Sequence, residues 1–307
     1  MGDLIMSLPA VHAVRKFLPE TEITLLIQKE LEPLLEGHPD VDRILGWSPA
    51  EGAGWNRILR WGWRLRKYRF DASVTLNPTK LFHAAPFFAG IPTRIGYRRK
   101  LGILLTAALP DTKANRNLHE TDYNLELVRL LGVPRSKPVI HLPQRTGTER
   151  EADWLLQSHG LTQTSRPIAV HPWTSNPVKS WPLESFAELA DRLHADHRPI
   201  LVIGGPESLP LMERWKSQAP DQVVDLVGKI PLRTLPALLR RCSLLVSNDS
   251  GPVHVAAAVG TPTIVVAPKS HAMLLARWRP IGTGHLLLLS PSVAEVVAAV
   301  KQHPCES

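Results

Sequence analysis

At 307 residues, with 44% hydrophobic and 21% charged residues, the chain is longer than one compact domain usually is and apolar enough for two cores, which excludes the disordered and low-complexity classes. Its cysteines, Cys242 and Cys305, form no Cys-x-x-Cys or Cys/His cluster, so neither zinc nor a disulfide framework organises the fold, and a reducing compartment is expected. The net charge of +8 is local: between Trp55 and Arg116 thirteen Lys and Arg residues stand against Asp71 and Asp111 alone, so the rest of the chain is slightly acidic.

In chain order, the first half alternates helix-like and strand-like segments. A helix is predicted over Ser7–Leu18, a strand over Glu22–Ile27, a helix near Lys29–Glu36 and a strand near Val41–Leu45. A basic helix over Trp55–Tyr68 and a strand over Asp71–Leu76 follow, and Pro78, Pro86 and Pro92 then punctuate the chain. Helices are expected at His119–Leu131 and Glu149–Ser158. A domain boundary is placed near Gly160, giving domains 1–160 and 161–307.

From Pro167 the alternation restarts more clearly. Strands are predicted at Ile168–His171, Ile200–Ile203, Val223–Leu226, Leu244–Ser247 and Thr263–Val266. Between them lie helices at Leu183–Ala195, Ser208–Ser217, Leu235–Arg241 and Pro252–Val259. Continuous apolar strands such as Ile200–Ile203 suit a parallel sheet covered on both faces, and ligands then belong beyond the strands' carboxyl ends. Asp3, His12, Arg15 and Lys16 make the start too polar for a signal peptide, and with no long apolar run neither export nor a membrane span is expected.

Three loops follow strands directly and share one rim of that sheet. The first carries Thr174, Ser175 and Lys179, whose two hydroxyls and ammonium suit phosphate oxygens, although an ordinary polar loop before a helix has the same look. In the second, Gly204-Gly205-Pro206-Glu207, glycine permits close approach and Glu207 could accept hydrogen bonds from ribose hydroxyls; a tight turn with a helix-starting acid is the plainer alternative. The third, Asp249-Ser250-Gly251-Pro252, opens a helix whose first N–H groups can bind a diphosphate. There Asp249 either orients neighbouring backbone groups or meets a sugar hydroxyl, with His254 one turn on; a plain N-cap with His254 packed inside is the competing account.

Gly2-Asp3-Leu4-Ile5-Met6-Ser7-Leu8-Pro9-Ala10, His171-Pro172 through Lys179-Ser180-Trp181-Pro182, and Ser247-Asn248-Asp249-Ser250-Gly251-Pro252-Val253-His254 together resemble glycosyltransferase family 9, the ADP-heptose:lipopolysaccharide heptosyltransferases. The resemblance spans nearly the whole chain. It implies an α/β fold of GT-B type, two Rossmann-like doubly wound domains facing a central cleft, the first binding the acceptor and the second the nucleotide-sugar donor. It further implies inverting heptosyl transfer from ADP-heptose to the lipopolysaccharide inner core, with no metal or other cofactor required. Asp3 would be the base, where its residue-level alternative is a helix N-cap. Thr174, Ser175 and Lys179, with the helix end at Ser250 and Gly251, would stabilise the leaving diphosphate; Glu207 would hold the ribose and the adenine would lie near Val227, Gly228 and Ile230.

Two departures from the family stand out. Members begin with an apolar strand of about ten residues running into the Gly-Asp turn. Here Met1 directly precedes Gly2, so the first N-terminal strand is expected to be missing from the sheet, through a start placed at an internal methionine or through degradation. After Val266 the chain has Ala267-Pro268-Lys269-Ser270, which adds the cation Lys269 near the leaving group, either to help bind phosphate or acceptor or simply as a solvated side chain.

The segment Trp55–Tyr68 mixes cations with aromatics as a helix at an anionic membrane does, and equally as a solvated helix packing its Leu and Trp face on a sheet. The patch comprising Arg57, Arg60, Arg64, Arg98, Arg99 and Lys100 fits an acceptor bearing Kdo carboxylates and lipid A phosphates, at the cytoplasmic face of the inner membrane. Nucleic acid is not expected, because no nucleic-acid motif accompanies the charge. The alternatives are a transferase using another nucleotide sugar and an inactive nucleotide-sugar or acceptor binder.

Overall fold

The computed structural model describes residues 1–113, 118–162, 164–174, 176, 178, 180–217 and 223–303. In chain order the elements are α1 (Gly2–Phe17), β1 (Thr24–Gln28), α2 (Glu32–Leu35), β2 (Arg43–Trp47), α3 (Trp55–Arg66), β3 (Ala72–Thr75), α4 (Lys80–Phe88), β4 (Thr93–Arg98), β5 (Ala107–Pro110), α5 (Glu120–Val128) and α6 (Thr146–Gln157). There follow β6 (Ile168–His171), α7 (Leu183–Ala195), β7 (Ile200–Val202), α8 (Leu209–Lys216), β8 (Val224–Asp225), α9 (Leu235–Arg241), β9 (Leu244–Asn248), α10 (Gly251–Ala258), β10 (Thr263–Ala267), α11 (Ala272–Trp278), β11 (His285–Leu289) and α12 (Val293–Gln302). The chain divides into two compact units: Met6–Glu32 with Gly37–Ile140, and Met1–Ile5 with Pro33–Glu36 and His141–Ser307.

The C-terminal unit holds one six-stranded, all-parallel sheet in the order β11-β10-β9-β6-β7-β8. β6, β9 and β10 are buried along their whole length, as unbroken apolar runs require. Alternate residues divide the faces: Ile168, Val170, Ile200, Val202, Leu244, Val246, Ile264 and Val266 join Phe186 and Leu189 of α7, Met212 and Trp215 of α8 and Val296 of α12 in one core. α9 and α10 pack together on the remaining side, α10 lying against β9 and β10.

The N-terminal unit has two separate parallel sheets, β1-β2 and β3-β4-β5. Among the described residues β1 pairs only with β2 and β3 only with β4, so the five strands form two sheets rather than one. Leu25 of β1 and Val74 of β3 nevertheless pack on one core with Ala10, Val11 and Val14 of α1 and Val128 of α5. A second core joins Leu26 and Leu45 to Ile58, Trp61 and Leu65 of α3 and Leu81, Ala84 and Ala85 of α4.

Several expectations change. α1 begins at Gly2 and runs through Pro9, so Asp3 lies inside its first turn rather than ahead of the helix as a cap. The prolines of the 78–92 stretch do not prevent α4 from forming: Pro86 leaves the Phe82 carbonyl without its helical donor, and the Thr75 hydroxyl supplies one at 3.0 Å. The division of the chain falls near residue 140 rather than at Gly160, because α6 belongs with α9. Arg241 Nε donates to Asp153 at 2.5 Å and its guanidinium also reaches Glu149 at 2.6 Å, while Arg240 pairs with Glu149 as well. Burial alone would raise the Glu149 carboxyl, but hydrogen bonds from Arg241 and Arg240 outweigh it and hold the group below its ordinary value. Cys242 is buried, and burial pushes its thiol up to about 12, which rules it out as a nucleophile.

Arg241→Met strips Glu149 and Asp153 of their shared partner, and we expect it to cost the C-terminal unit about 2 kcal/mol. Urea denaturation of both proteins measures this; a change below about 0.5 kcal/mol would show that the ion pairs do not fasten α6.

Candidate active site

The order of the C-terminal sheet fixes where a ligand can enter. From β6 the chain builds outward through β7 and β8, then crosses back so that β9 lies on the other side of β6. The crevice between the carboxyl ends of β6 and β9 is the topological switch point, where open α/β sheets bind ligands. His171 and Ser247 are register partners there.

Side chains at this point tie the loops together. His171 Nδ1 lies 3.1 Å from the Ser250 hydroxyl and 3.3 Å from that of Ser247, and the two hydroxyls are 2.9 Å apart. Asn248 accepts from the Trp181 N–H at 2.8 Å and donates to the Pro172 carbonyl at 2.7 Å, so one amide pins both ends of the loop between them. The Trp173 indole N–H donates to the Ile203 carbonyl, fastening the same loop to the end of β7. The ring leaves no room at Gly204, where a Cβ would lie 2.5 Å from the indole nitrogen.

α10 starts at this crevice with Ser250 in the N-cap position, yet Ser250 makes no capping hydrogen bond. Its hydroxyl goes to Ser247 and His171 instead, which leaves the helix N-terminus without a side-chain cap and suited to an oxyanion. Asp249 is buried, and its carboxylate meets His271 Nε2 at 2.9 Å. That carboxylate therefore fastens the loop after β10 to the loop after β9.

The first residues of the chain join this site. Met1–Ile5 belongs to the C-terminal unit, and the start of α1 abuts the start of α10. A Cβ on Gly2 would fall 2.8 Å from Cδ2 of the buried His254, and one on Gly251 would fall 2.8 Å from Met1 Cβ. Two glycines thus let two helix N-termini meet, and Asp3 is exposed in the first turn of one of them, where backbone N–H groups favour an acidic residue. Expected on a domain opposite the donor loops, Asp3 is instead part of the unit that carries them.

Of the other anticipated donor residues, Thr174 is half-buried in the loop after β6, whereas Ser175 and Lys179 lie outside the described residues. Glu207 is exposed beyond β7, its carboxylate folded back over Gly205. Val227 is buried, and Gly228 takes φ +71 with its N–H bonded to the Gly204 carbonyl, so the end of β8 and the second loop form one surface. Lys269 is exposed and its backbone N–H donates to the Ser290 hydroxyl.

The basic patch is distinct from these loops and belongs to the N-terminal unit. Arg57 covers Trp47, Arg60 donates to the Glu51 carbonyl, and Arg64 stacks on Trp61 while pairing with Glu51 at 3.6 Å. Arg98, Arg99 and Lys100 are exposed, Arg99 reaching Asp111 at 3.5 Å. His171 and Asn248 stand at strand ends, and His271, which sequence reasoning missed, lies in the turn after β10; their partners, up to 79 residues away along the chain, leave no trace in the sequence.

The family model for glycosyltransferase family 9 (heptosyltransferase) matches residues 58–283, more than half of the chain. The chain belongs to glycosyltransferase family 9. It is therefore a glycosyltransferase. The lipopolysaccharide core heptosyltransferase OpsX of Haemophilus influenzae is 25% identical over 273 residues, covering 86% of this chain and 75% of its own. The solved glycosyl transferase family 9 protein of Veillonella parvula superposes with a TM-score of 0.88 at 24% identity, covering 100% of this chain and 94% of its own. The Escherichia coli ADP-heptose lps heptosyltransferase II gives 0.82 at 21% identity, with coverages of 98% and 95%. The fold is GT-B, with two Rossmann-like units, as the sequence resemblance implied.

His171 gives the site of this glycosyltransferase a pH signature. Burial pulls its imidazole down from 6.5 to about 4, so it is neutral at pH 7. Between those values the unfolded chain holds the proton and the folded one does not. Stability from this group is therefore complete above pH 6.5 and is lost as pH falls towards 4, about 3 kcal/mol in all. Urea midpoints at roughly pH 7 and pH 4.5 should converge for His171→Gln relative to the parent. An identical drop in both proteins would refute the assignment.

Proposed function

We propose that this glycosyltransferase moves a heptose from ADP-heptose to the inner core of lipopolysaccharide with inversion at the anomeric carbon. Two of the relatives named above are heptosyltransferases by name, one of the lipopolysaccharide core and one for ADP-heptose, which supports the donor and acceptor class. The observation that carries the proposal is the meeting of α1 and α10 at Gly2 and Gly251, which puts Asp3 in the same compact unit as the uncapped N-terminus of α10.

In this mechanism Asp3 takes the proton from an acceptor hydroxyl as its oxygen attacks the anomeric carbon. The bond from that carbon to the diphosphate oxygen breaks, its electron pair leaving with ADP. The N-terminus of α10 stabilises the charge developing on the departing phosphates, with Thr174, Ser175 and Lys179 supplying hydroxyls and an ammonium from the loop after β6. Glu207 accepts hydrogen bonds from the ribose, and the adenine lies near Val227, Gly228 and Ile230. Asp249 and His254 act as positioning residues, the first through His271 and the second by holding Gly2 in place. Because fixed donors neutralise the phosphates, the transfer needs no metal or other cofactor. The acceptor's Kdo carboxylates and lipid A phosphates pair with the basic patch of the N-terminal unit. The reaction belongs at the cytoplasmic face of the inner membrane, where a nucleotide sugar and a lipid-linked acceptor meet.

Purified protein should be stabilised against heat by ADP-heptose more than by UDP- or GDP-sugars, and it should transfer heptose to Kdo-lipid A in excess EDTA. Equal response to all donors would assign the enzyme another nucleotide sugar, and loss of turnover in EDTA would introduce a metal. Asp3→Asn should lower turnover by about 10²–10⁴-fold while donor affinity stays within about twofold. A variant that retained turnover would move the base elsewhere; binding without turnover in the unaltered chain would mark an inactive binder.

A further inference from the structure

α3 presents three faces rather than two. Ile58, Trp61, Gly62 and Leu65 are buried and hold the helix on its unit. Trp55, Leu59 and Trp63 recur every four residues, so they form one stripe along the helix, and they are 57%, 47% and 74% exposed. Beyond that stripe lie the exposed cations Arg60, Arg64 and Lys67.

The stripe continues onto α4. Gly62 lets the two helices approach so closely that a Cβ there would lie 2.7 Å from Phe88 Cβ. Phe88 stands edge-on to Trp55 at 6.3 Å and to Phe87 at 5.4 Å, and both phenylalanines are more than two-fifths exposed. Arg94 borders Phe87 at 5.5 Å. Five large apolar side chains from two helices therefore form one exposed surface bordered by cations. α3 has no acidic residue, and Glu51, the carboxylate that meets these cations, is occupied by Arg64 and the Trp61 indole.

A contiguous exposed apolar surface rimmed by polar residues marks a face that something covers. Tryptophan and phenylalanine flanked by Arg and Lys match the boundary layer of a bilayer, whose hydrocarbon edge takes the rings while its anionic headgroups take the cations. An acidic protein partner could use the same side chains, and absence of vesicle binding is the outcome that would point to one. We propose that Trp55, Leu59, Trp63, Phe87 and Phe88 form a docking face that enters the headgroup layer of an anionic membrane, with Arg60, Arg64 and Lys67 reaching the lipid phosphates; Arg94 donates to the Leu104, Ile91 and Pro92 carbonyls and only borders the face. This rests on the proposed function for the lipid-linked acceptor, the membrane face and the anion-binding role of Arg60 and Arg64, and adds to it the aromatic surface of α3 and α4.

The test is sedimentation of the full chain with phosphatidylglycerol-containing or pure phosphatidylcholine vesicles, without donor or acceptor, so that it stands apart from any failure of heptosyl transfer. Partition should favour the anionic vesicles by at least about tenfold and weaken with salt. Trp55→Ser with Trp63→Ser should lower it by at least about tenfold, and Arg60→Glu with Lys67→Glu by a similar factor. Circular dichroism of each variant checks that the fold is kept, and Leu59→Ser alone, expected to give a smaller loss, provides a milder substitution should the double variant misfold. Equal partition to both vesicle types, or unaltered partition of the aromatic variant, overturns the proposal. So does self-association of the chain that the same substitutions abolish without any vesicle binding, which would make a second copy the occupant.

Discussion

Everything at the switch point of the C-terminal sheet depends on how the ends of β6 and β9 are held together. His171, Ser247 and Ser250 share hydrogen bonds at the switch point, and Asn248 reaches over to grip both ends of the loop after β6. His171, Ser247 and Asn248 are buried, so each must find a partner within the fold or cost it stability. One consequence is chemical. Because the Ser250 hydroxyl is used across the crevice rather than along the helix, α10 begins without a side-chain cap, and an anion can take the role a cap would fill.

A second constraint is steric. Gly2 and Gly251 have neighbours where a side chain would go, and Gly204 is closed by the Trp173 indole. Small residues here serve close approach rather than flexibility, and what approaches is another helix end or a rigid ring. Such contacts set the position of Asp3 through packing with His254, a buried residue that need not touch a substrate to matter for one.

The N-terminal unit follows a different logic. Its strands lie in two sheets joined through shared cores, with α1 and α5 contributing to one and α3 and α4 to another. Arg57 and Arg64, counted in the sequence as part of a basic patch, also meet Trp47, Trp61 and Glu51. The long side chains still leave much of their surface exposed, so packing and charge coexist in one residue.

The sequence by itself determined the alternation of strands and helices, the parallel sheet of the C-terminal half and the rim on which its ligand loops converge. Periodicity and unbroken apolar runs report local burial, and α7 and α9 were legible to the residue. It did not show α4, because Pro86 reads as a breaker unless the Thr75 hydroxyl is known to satisfy the carbonyl that proline strands. Tertiary structure alone decided that α6 belongs with α9, that Asp249 meets His271, and that Asp3 shares a unit with the loops after β6 and β9. Those outcomes rest on side chains far apart in the chain, whose meeting depends on the sheet order and on the absence of a Cβ at two glycines, and neither leaves a periodic trace in a sequence.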